Sequence, residues 1–214
     1  MKDQIQSLAS LSGPFPPFDL DAACDDPCDL FAIWLREAIE AGVREPHSMV
    51  LSTVDESGVP DARVLILKNL DHRGWHFATT DAGPKGRQIA ANPYVALTFY
   101  WQALGRQVRI RGIALPAPEA ERDSDFRRRS AAARAIALVG RQSELLSSRR
   151  ELGLAVETQF RRIAETPDIV APSWSVFMVM PHQVEFWQGN PDRLHQRLRY
   201  RKAKSGWLRE PLWP

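Results

Sequence analysis

Ionisable residues near the C-terminus have the types and spacing of an anion-binding surface. Arg193, His195 and Arg197 occur at every second position, and in an extended strand this spacing places three side chains on one face. Trp187 precedes them, and an indole can pack on a flat ring while guanidinium groups bind phosphate or carboxylate. The alternative is an exposed strand edge that charge protects from aggregation. The pattern favours a site for a planar, anionic ligand.

Two further segments have the composition of anion-binding sites. The run from Arg63 to Lys68 places a cation at each end of an apolar strand, where an unpaired buried charge is costly unless it reaches solvent. The segment 79–85 offers hydroxyls, Lys85 and the free N–H groups of a helix that is predicted to begin there. Its components are those of a phosphate site, although a polar loop with a solvated lysine explains them equally well.

Strand patterns in the rest of the chain predict an antiparallel β core that positions these residues. The predicted strands cover 48–54, 63–67, 75–79, 94–101, 107–114, 174–180, 183–188 and 193–201, with a last strand at Trp207-Leu208. Turn sequences such as Asp55–Gly58 and Asp71–Gly74 join consecutive strands. Strands that follow one another through short turns favour a barrel over a βαβ sheet.

Helix signals occur at the start of the chain and between the strands. Asp26 and Pro27 predict an N-cap and a first helical residue, followed by an apolar face of Leu30, Ile33, Trp34 and Ala38. A short helix is predicted at 85–92. Residues 118–164 are predicted to be helical, with Gly140 separating two helices and Arg141-Gln142-Ser143 beginning the second, as a cap or a contact site.

Residues 1–25 are predicted to form an extended or mobile arm, followed by one domain, 26–214.

Composition excludes several classes of protein. The chain has 214 residues, of which 44% are hydrophobic and 25% charged, which is typical of a globular domain. No apolar run approaches the roughly 20 residues of a membrane span, and the first residues lack the apolar core of a signal peptide, so we expect a cytoplasmic protein. A net charge of +2 does not predict nucleic-acid binding, and arginines 127–150 alternate with acidic residues. Cys24 and Cys28 are expected to be reduced thiols, and no metal site is predicted.

Several separated motifs together resemble the pyridoxine/pyridoxamine 5′-phosphate oxidase family of FMN flavoproteins. The resemblance runs from about Asp26 to Pro214. Its strongest parts are Glu185–Gly189, Arg193-Leu194-His195 followed by Arg197, and the strand Arg63–Lys68. Supporting parts are Gly105–Val108, Arg141-Gln142-Ser143, Gly206-Trp207 and Leu212-Trp213-Pro214. Motifs that occur in the family's order are more specific than any of them alone.

The resemblance implies a fold, a cofactor and a reaction. The fold is mainly β with inserted helices, an antiparallel FMN-binding split β-barrel of the Greek-key type. The protein would be a homodimer with FMN at the subunit interface. The reaction is the conversion of pyridoxamine or pyridoxine 5′-phosphate to pyridoxal 5′-phosphate with O₂ as electron acceptor, releasing peroxide. No nucleic acid or membrane takes part.

The family's functional residues match positions of this chain one by one. The implied FMN contacts are Arg63, Val64, Leu65, Ile66, Leu67, Lys68, Ala78, Thr79, Lys85, Gln107, Gln142, Ser143, Trp187 and Arg197. The implied substrate contacts are Lys68, Arg129, Arg193, Leu194 and His195, with Lys68 and Arg129 on the substrate phosphate. Arg193 and His195 would lie over the substrate ring and serve as the catalytic pair.

Three positions depart from the family pattern. Pro84 stands where the family has an arginine beside the phosphate-binding lysine, Asp125 where the substrate-phosphate clamp has tyrosine, and Ala133 where it has serine. A carboxylate repels phosphate and alanine offers no donor. The Arg/Tyr segment that many of these oxidases carry near the N-terminus is missing from residues 1–25.

These departures leave alternatives open. The related phenazine-biosynthesis flavin oxidases share the missing segment and the missing tyrosine, and they oxidise reduced, carboxylated tricyclic rings. Lys68 and Trp187-Gln188-Gly189 match the residues of the pyridoxine/pyridoxamine 5′-phosphate oxidases rather than those of the phenazine enzymes, and they favour the phosphate oxidase. A non-catalytic relative that carries flavin or a haem-degradation product on the same barrel is the third reading.

Overall fold

The computed structural model describes residues 1–214 and contains six α-helices and eight strands. The helices are α1 (Lys2–Gln6), α2 (Pro27–Glu40), α3 (Pro84–Ala91), α4 (Glu119–Arg127), α5 (Ala131–Val139) and α6 (Arg149–Glu165). The strands are β1 (Ser48–Val54), β2 (Pro60–Asp71), β3 (Gly74–Thr80), β4 (Tyr94–Trp101), β5 (Arg106–Pro116), β6 (Trp174–Gln188), β7 (Gln196–Lys202) and β8 (Trp207–Pro211). None of the helices combines the length and apolarity that a bilayer crossing requires.

The strands form a closed antiparallel barrel with an extension. Their order is β3-β2-β1-β4-β5-β6-β7-β8, and β3 also pairs with β6 from Trp75 opposite Val179 to Thr80 opposite Trp174. This second pairing closes β1–β6 into a six-stranded barrel, to which β7 and β8 add. The predicted mainly-β barrel with inserted helices is confirmed. Closure removes the unpaired edges that β3 and β6 would otherwise expose.

The chain divides into two compact units. The first unit comprises Met1–Leu51, Ala96–Gly112 and Pro181–Pro214, and the second comprises Ser52–Val95 and Ile113–Met180. The core of the first unit is aromatic: the Phe31 and Phe99 rings lie 4.8 Å apart, and those of Trp34 and Phe186 lie 5.1 Å apart in an edge-to-face contact. The second unit stacks Phe77 on Phe177 at 5.5 Å.

Helix α2 begins as predicted but buries a slightly different face. The Asp26 carboxylate accepts a hydrogen bond from the Cys28 N–H at 2.7 Å, and Pro27 is the first helical residue. Phe31 is fully buried, whereas Ile33, predicted to face the core, is 39% exposed. The core side of the helix is therefore rotated towards Phe31, because the aromatic cluster offers that ring a closer-packed position.

The region 118–164 contains three helices rather than the predicted two. Gly140 ends α5 in the left-handed region, as its position suggested, with φ of 72°. The prediction that Arg141-Gln142-Ser143 begins a helix is wrong: Ser143 has φ of 70°, which no helix accommodates, and α6 starts only at Arg149. The Ser148 hydroxyl caps that helix by accepting from the Glu151 N–H.

Two predictions about the C-terminal strands are also wrong. The segments 174–180 and 183–188 form one strand, β6, which continues through Pro181. Arg193 and His195 precede β7, and Arg193 lies in a turn with φ of 66° that its N–H closes onto the Asn190 carbonyl. The three basic residues therefore do not share one strand face. Proline at 191 and the turn chemistry of Asn190 place the start of the strand later than simple alternation indicated.

The N-terminal arm has more structure than the sequence indicated. It begins with helix α1, and Phe18 is buried against Trp34, with ring centroids 4.9 Å apart. The Phe15 ring lies against Gly105, where a Cβ would meet it at 2.9 Å. Glycine at 105, with φ of 57°, thus serves both the turn and this contact. Mobility of the arm stays a prediction.

Replacing Gly86 with alanine tests the packing of helix α3. A Cβ at Gly86 would overlap the Asp81 backbone, which cannot move aside as a side chain can. We expect G86A to lower the free energy of unfolding by about 1–3 kcal/mol. The matched control is G153A in helix α6, where nothing lies within 4 Å of the added Cβ. That change should raise stability by about 0.5–1 kcal/mol. Urea denaturation of both variants measures the difference, and equal effects would contradict the packing assigned to Gly86.

Candidate functional site

Arg63 is partly buried in the second unit, where side-chain partners hold it. On β2 the alternation is as predicted: Arg63, Leu65 and Leu67 are more buried, whereas Val64 is 64% exposed. The Arg63 guanidinium donates to the Thr53 hydroxyl on β1 at 2.6 Å and to Gln88 Oε1 on α3 at 3.2 Å, and it pairs with Asp61. These partners hold its charge at the start of helix α3.

Lys85 is a buried cation in the first turn of helix α3. It is 8% exposed, and its Nζ donates to Gln142 Oε1 at 2.7 Å. Burial lowers the pKa of the Lys85 ammonium, the Arg63 charge lowers it further, and Asp61 acts in the opposite direction. Two neighbouring cations with a neutral amide as the lysine's partner favour a bound anion, because an anion stabilises both charges. The first turn of α3 adds backbone N–H groups that have no partner within the helix.

Glycines bring the surrounding loops close to these cations. A Cβ at Gly83 would meet Gln142 Oε1 at 2.7 Å, so this close approach requires glycine. Gln142 therefore reaches the start of α3 from an irregular loop rather than from a helix start, whereas Ser143 makes no hydrogen bond with α3. Ala78 is half-buried on β3, and Thr79 is buried beside it. The structure thus brings Arg63, Lys85 and Gln142 together in the second unit, with the features of a phosphate-binding cradle, whereas no contact links Thr79 to them.

A second cluster in the same unit contains the predicted substrate-binding cations. The Lys68 Nζ lies 3.2 Å from Asp125 Oδ1, and Asp125 Oδ2 accepts from Trp174 Nε1 at 3.0 Å. The Arg129 guanidinium stacks 3.8 Å from the Trp174 ring centroid and donates to the Ala133 carbonyl at 2.9 Å. Burial lowers the pKa of Arg129, and the Asp125 charge acts against that shift.

A cavity of about 680 Å³ adjoins this cluster. Its lining includes Lys68, His76, Asp125, Arg128 and Arg129. Among the three consecutive arginines 127–129, only Arg129 is packed against Trp174, and the other two are exposed. The cavity therefore has room for a small molecule whose acidic group reaches Lys68 and Arg129.

In the first unit, Arg197 is held by a buried carboxylate. The Glu185 Oε1 atom accepts from Arg197 Nε at 3.0 Å and from Nη2 at 2.8 Å, and Arg109 binds the other oxygen. Arg197 also donates to the Trp213 carbonyl at 2.9 Å. Burial alone would raise the pKa of Glu185, but hydrogen bonds from Arg109 and Arg197 outweigh it and hold the pKa below its ordinary value. Arg197 lies opposite Trp187 in the β6–β7 pairing.

His195 lies beside Trp187 in the turn before β7. Its Nδ1 accepts from the Asn190 N–H at 3.1 Å, so in the neutral ring the proton is on Nε2. Burial, and then the charge of Arg193, lower the pKa of His195, which favours the neutral ring at pH 7. The His195 and Trp187 ring centroids are 4.8 Å apart, while Leu194 is exposed and Arg193 donates to the Ser10 hydroxyl at 3.2 Å. Gln107 is half-buried on β5.

Sequence reasoning missed the residues that hold the predicted ones in place. Thr53, Gln88 and Glu185 have no ligand-binding pattern of their own, but each fixes one of the site arginines. A partial signal existed for Gln88, because it lies three residues after Lys85 and so faces the same side of the helix. No group of three or more His, Cys, Asp and Glu side chains could hold a metal ion.

Comparisons with known proteins cover nearly the whole chain. A family model described as pyridoxamine 5′-phosphate oxidase matches residues 35–161, and one described as the pyridoxine 5′-phosphate oxidase C-terminal dimerisation region matches residues 174–214. The pyridoxine/pyridoxamine 5′-phosphate oxidase of Rubrobacter xylanophilus is 43% identical over 91% of this chain and 89% of its own length. The protein of the same name from Salinibacter ruber is 41% identical over 98% of this chain and 100% of its own.

A solved structure is similar over the same extent. PhzG from Burkholderia lata, determined in complex with tetrahydrophenazine-1-carboxylic acid, aligns with a TM-score of 0.86 and 30% identity. The alignment covers 96% of this chain and 100% of PhzG. An FMN-binding protein from Nostoc punctiforme shares the fold, with a TM-score of 0.70 at 18% identity.

The charge of Glu185 is expected to make the free energy of unfolding depend on pH. Because its folded pKa lies below the unfolded value of 4.5, its stabilising effect is fully present above pH 4.5 and is lost as the pH falls through the folded pKa. We expect E185Q to lower the free energy of unfolding at pH 7 by about 1–2 kcal/mol, a figure that allows for the half-exposed Arg109. The wild-type and variant values should converge below pH 4.5.

Urea denaturation between pH 3.5 and pH 7 measures this convergence. The matched control is E210Q, since Glu210 also accepts from two arginines, Arg199 and Arg201, but is more exposed. Its effect at pH 7 should be smaller. An E185Q difference that stays constant with pH would contradict the role given to the Glu185 charge.

Proposed function

The chain belongs to the pyridoxine/pyridoxamine 5′-phosphate oxidase family, and from that premise we propose that it is an FMN-dependent oxidase. Its reaction converts pyridoxamine or pyridoxine 5′-phosphate to pyridoxal 5′-phosphate, with O₂ as electron acceptor and peroxide as the reduced product. The match to the Salinibacter ruber protein of this name covers 98% of this chain and 100% of that protein, which supports the proposal.

Buried Lys85 and partly buried Arg63 carry the cofactor part of the proposal. Lys85 has a neutral amide as its hydrogen-bond partner and lies near Arg63, and Gly83 allows that amide, Gln142, its close approach. A phosphate group would supply the missing negative charge and accept hydrogen bonds from both side chains. The remaining proposed FMN contacts are those that the family resemblance implied: residues 63–68, Ala78, Thr79, Gln107, Gln142, Ser143, Trp187 and Arg197.

When bound, FMN supplies a ring system that accepts a hydride from the substrate and passes its electrons to oxygen. The protein's own residues bind and orient the substrate. Lys68 and Arg129 would hold its acidic group, and their cluster with Trp174 beside a cavity supports this role. The family resemblance implies that His195 and Arg193 contact the substrate ring, and the neutral imidazole would then be an Nε2–H donor. Holding the reactants in one orientation is the main contribution of these groups.

We infer that the active enzyme is a homodimer with FMN between two copies. The match of residues 174–214 to a dimerisation region supports this assembly, and Trp187, Arg193, His195 and Arg197 lie within that stretch. The outward-facing apolar side chains of β2, Val64 and Ile66, favour coverage by a ligand or a second chain. A cytoplasmic location stays a prediction.

A second candidate is the oxidation of a reduced, carboxylated tricyclic ring. Asp125, which contacts Lys68, favours this alternative, because it weakens the positive charge offered to a phosphate. The structural similarity to PhzG, which was solved with a tetrahydrophenazine carboxylic acid, supports it as well. The higher identity to the named phosphate oxidases favours the first candidate.

Anaerobic mixing distinguishes the two substrates. The flavin-loaded protein is combined with pyridoxamine 5′-phosphate, pyridoxine 5′-phosphate or a reduced phenazine carboxylate, and the flavin absorbance is followed. We expect pyridoxamine 5′-phosphate and pyridoxine 5′-phosphate each to bleach the flavin. The absorbance should recover when oxygen is admitted. Bleaching by the phenazine carboxylate alone would overturn the phosphate-oxidase assignment in favour of the second candidate.

Replacing Lys85 with methionine tests the proposed phosphate contact. K85M removes a charge-assisted hydrogen bond worth about 1.5–3 kcal/mol, so FMN affinity should fall by roughly ten- to a hundredfold. Riboflavin lacks the phosphate, and its affinity should be unchanged. Flavin fluorescence titration of the apoprotein measures both constants, with K204M, an exposed lysine, as the control. An equal loss for both flavins would show that Lys85 does not contact the phosphate.

A further inference from the structure

Asp125 is a buried carboxylate at the position where the substrate's acidic group is expected to bind. It is 6% exposed, with one oxygen 3.2 Å from the Lys68 ammonium and the other accepting from Trp174 Nε1 at 3.0 Å. Its charge also acts on Arg129, whose guanidinium stacks on the same indole. A single internal carboxylate thus interacts with both cations of the proposed clamp.

The contact with Trp174 keeps this carboxylate in place. If Asp125 turned away to admit a ligand oxygen, the buried indole N–H would lose its acceptor, at a cost comparable to a lost hydrogen bond. Asp125 therefore remains beside Lys68 when a ligand is bound. The three charged groups of the clamp, Lys68, Asp125 and Arg129, then present one net positive charge instead of two.

The other charged groups around the cavity do not change this balance. On α4, Glu121 pairs with Arg73, which in turn pairs with Asp71, and Arg128 is exposed to solvent. On β3, His76 Nε2 lies 3.2 Å from Asp71 Oδ1. These groups form their own pairs or face water, so the clamp's charge is set by Lys68, Asp125 and Arg129.

Building on the proposed function, we propose that Asp125 is a specificity-determining residue that makes this clamp a receptor for a singly charged acidic group. A phosphate ester in its monoanionic form and a carboxylate share that chemistry. A phosphate dianion is bound less well, because its second charge meets the Asp125 carboxylate, and the remaining arginine of the cavity lining, Arg128, is exposed to water that screens its charge. Ala133 adds to this selectivity, since it supplies only a backbone carbonyl, which Arg129 already occupies.

This proposal predicts a dependence on the charge of the ligand. A phosphate ester takes its second negative charge near pH 6, so it is mainly a monoanion at pH 5.5 and a dianion at pH 7.5. The probe is pyridoxal 5′-phosphate, the product of the proposed reaction, which binds without reducing the flavin. Its dissociation constant for the flavin-loaded wild-type protein should be larger at pH 7.5 than at pH 5.5, as measured by isothermal titration calorimetry.

The D125N variant isolates the effect of the carboxylate. Asparagine has nearly the same shape as aspartate, and its side-chain carbonyl oxygen can accept the hydrogen bond from Trp174 Nε1. We expect D125N to bind pyridoxal 5′-phosphate about tenfold more tightly than wild type at pH 7.5 and about threefold more tightly at pH 5.5, because the gain in free energy scales with ligand charge. The control is D123N on the same helix, where Asp123 pairs with Arg122 and Arg127 outside the cavity lining. It should leave both constants nearly unchanged.

A third ligand distinguishes the two sources of a single charge. A pyridoxal analogue with a carboxylate in place of the phosphate carries one charge on its acidic group at both pH values. Its affinity should be insensitive to pH, and D125N should strengthen its binding equally at pH 5.5 and pH 7.5. If only the phosphate monoanion binds, the receptor is specific for phosphate, and the carboxylate half of the proposal is overturned.

The outcomes separate this proposal from the proposed function. Equal tightening by D125N at both pH values for the phosphate ligand, or no tightening, would overturn the role of Asp125. Absence of binding to both wild type and D125N would overturn it too, since the clamp would then not be a receptor for either acid. Anaerobic flavin reduction by pyridoxamine 5′-phosphate is recorded on the same samples, and its failure alone would count against the proposed function and not against Asp125.

Discussion

The site depends on the burial of Lys85 close to Arg63. Two positive charges in a partly dry environment destabilise the folded chain, and Asp61 offsets only part of their repulsion. The surrounding structure maintains them nevertheless, through Thr53 and Gln88 around the arginine and Gln142 beside the lysine. The barrel strands, helix α3 and the loop after Gly140 each contribute a residue that contacts Arg63 or Lys85. The negative charge of an anionic ligand would offset the repulsion between these two cations. Binding of an anion at this place would therefore be thermodynamically linked to folding.

Much of the fold was predictable because its signals are local. Alternation along β1 and β2, the Asp26-Pro27 helix start and the chain reversal at Gly140 each depend on residues within a few positions of one another. The same local reasoning went wrong where a single residue overrides a pattern. Ser143 adopts a left-handed conformation that prevents a helix at 141–143, and Arg193 does so in a turn that delays β7. Pro181, by contrast, lies within β6 without ending it.

The candidate site was predictable only in part, because its selectivity depends on distant partners. The cationic residues stood out by type, and the family resemblance supplied their roles. Asp125 accepts a hydrogen bond from Trp174, 49 positions later, and also contacts Lys68. No local sequence pattern indicates either of these tertiary contacts. Sequence comparison marked Asp125 as unusual at its position. The structure adds a physical reason why it matters, since the carboxylate is buried between two cations and cannot easily leave.

The bond between Arg193 and the Ser10 hydroxyl spans 183 positions of the chain. During synthesis, Ser10 emerges 183 residues before Arg193. This hydrogen bond can therefore form only after the turn that contains Arg193 has been translated. A product that ends before Asn190 would retain all six helices but would lack Arg193 and His195. Such a product would leave the Ser10 hydroxyl without its Arg193 partner.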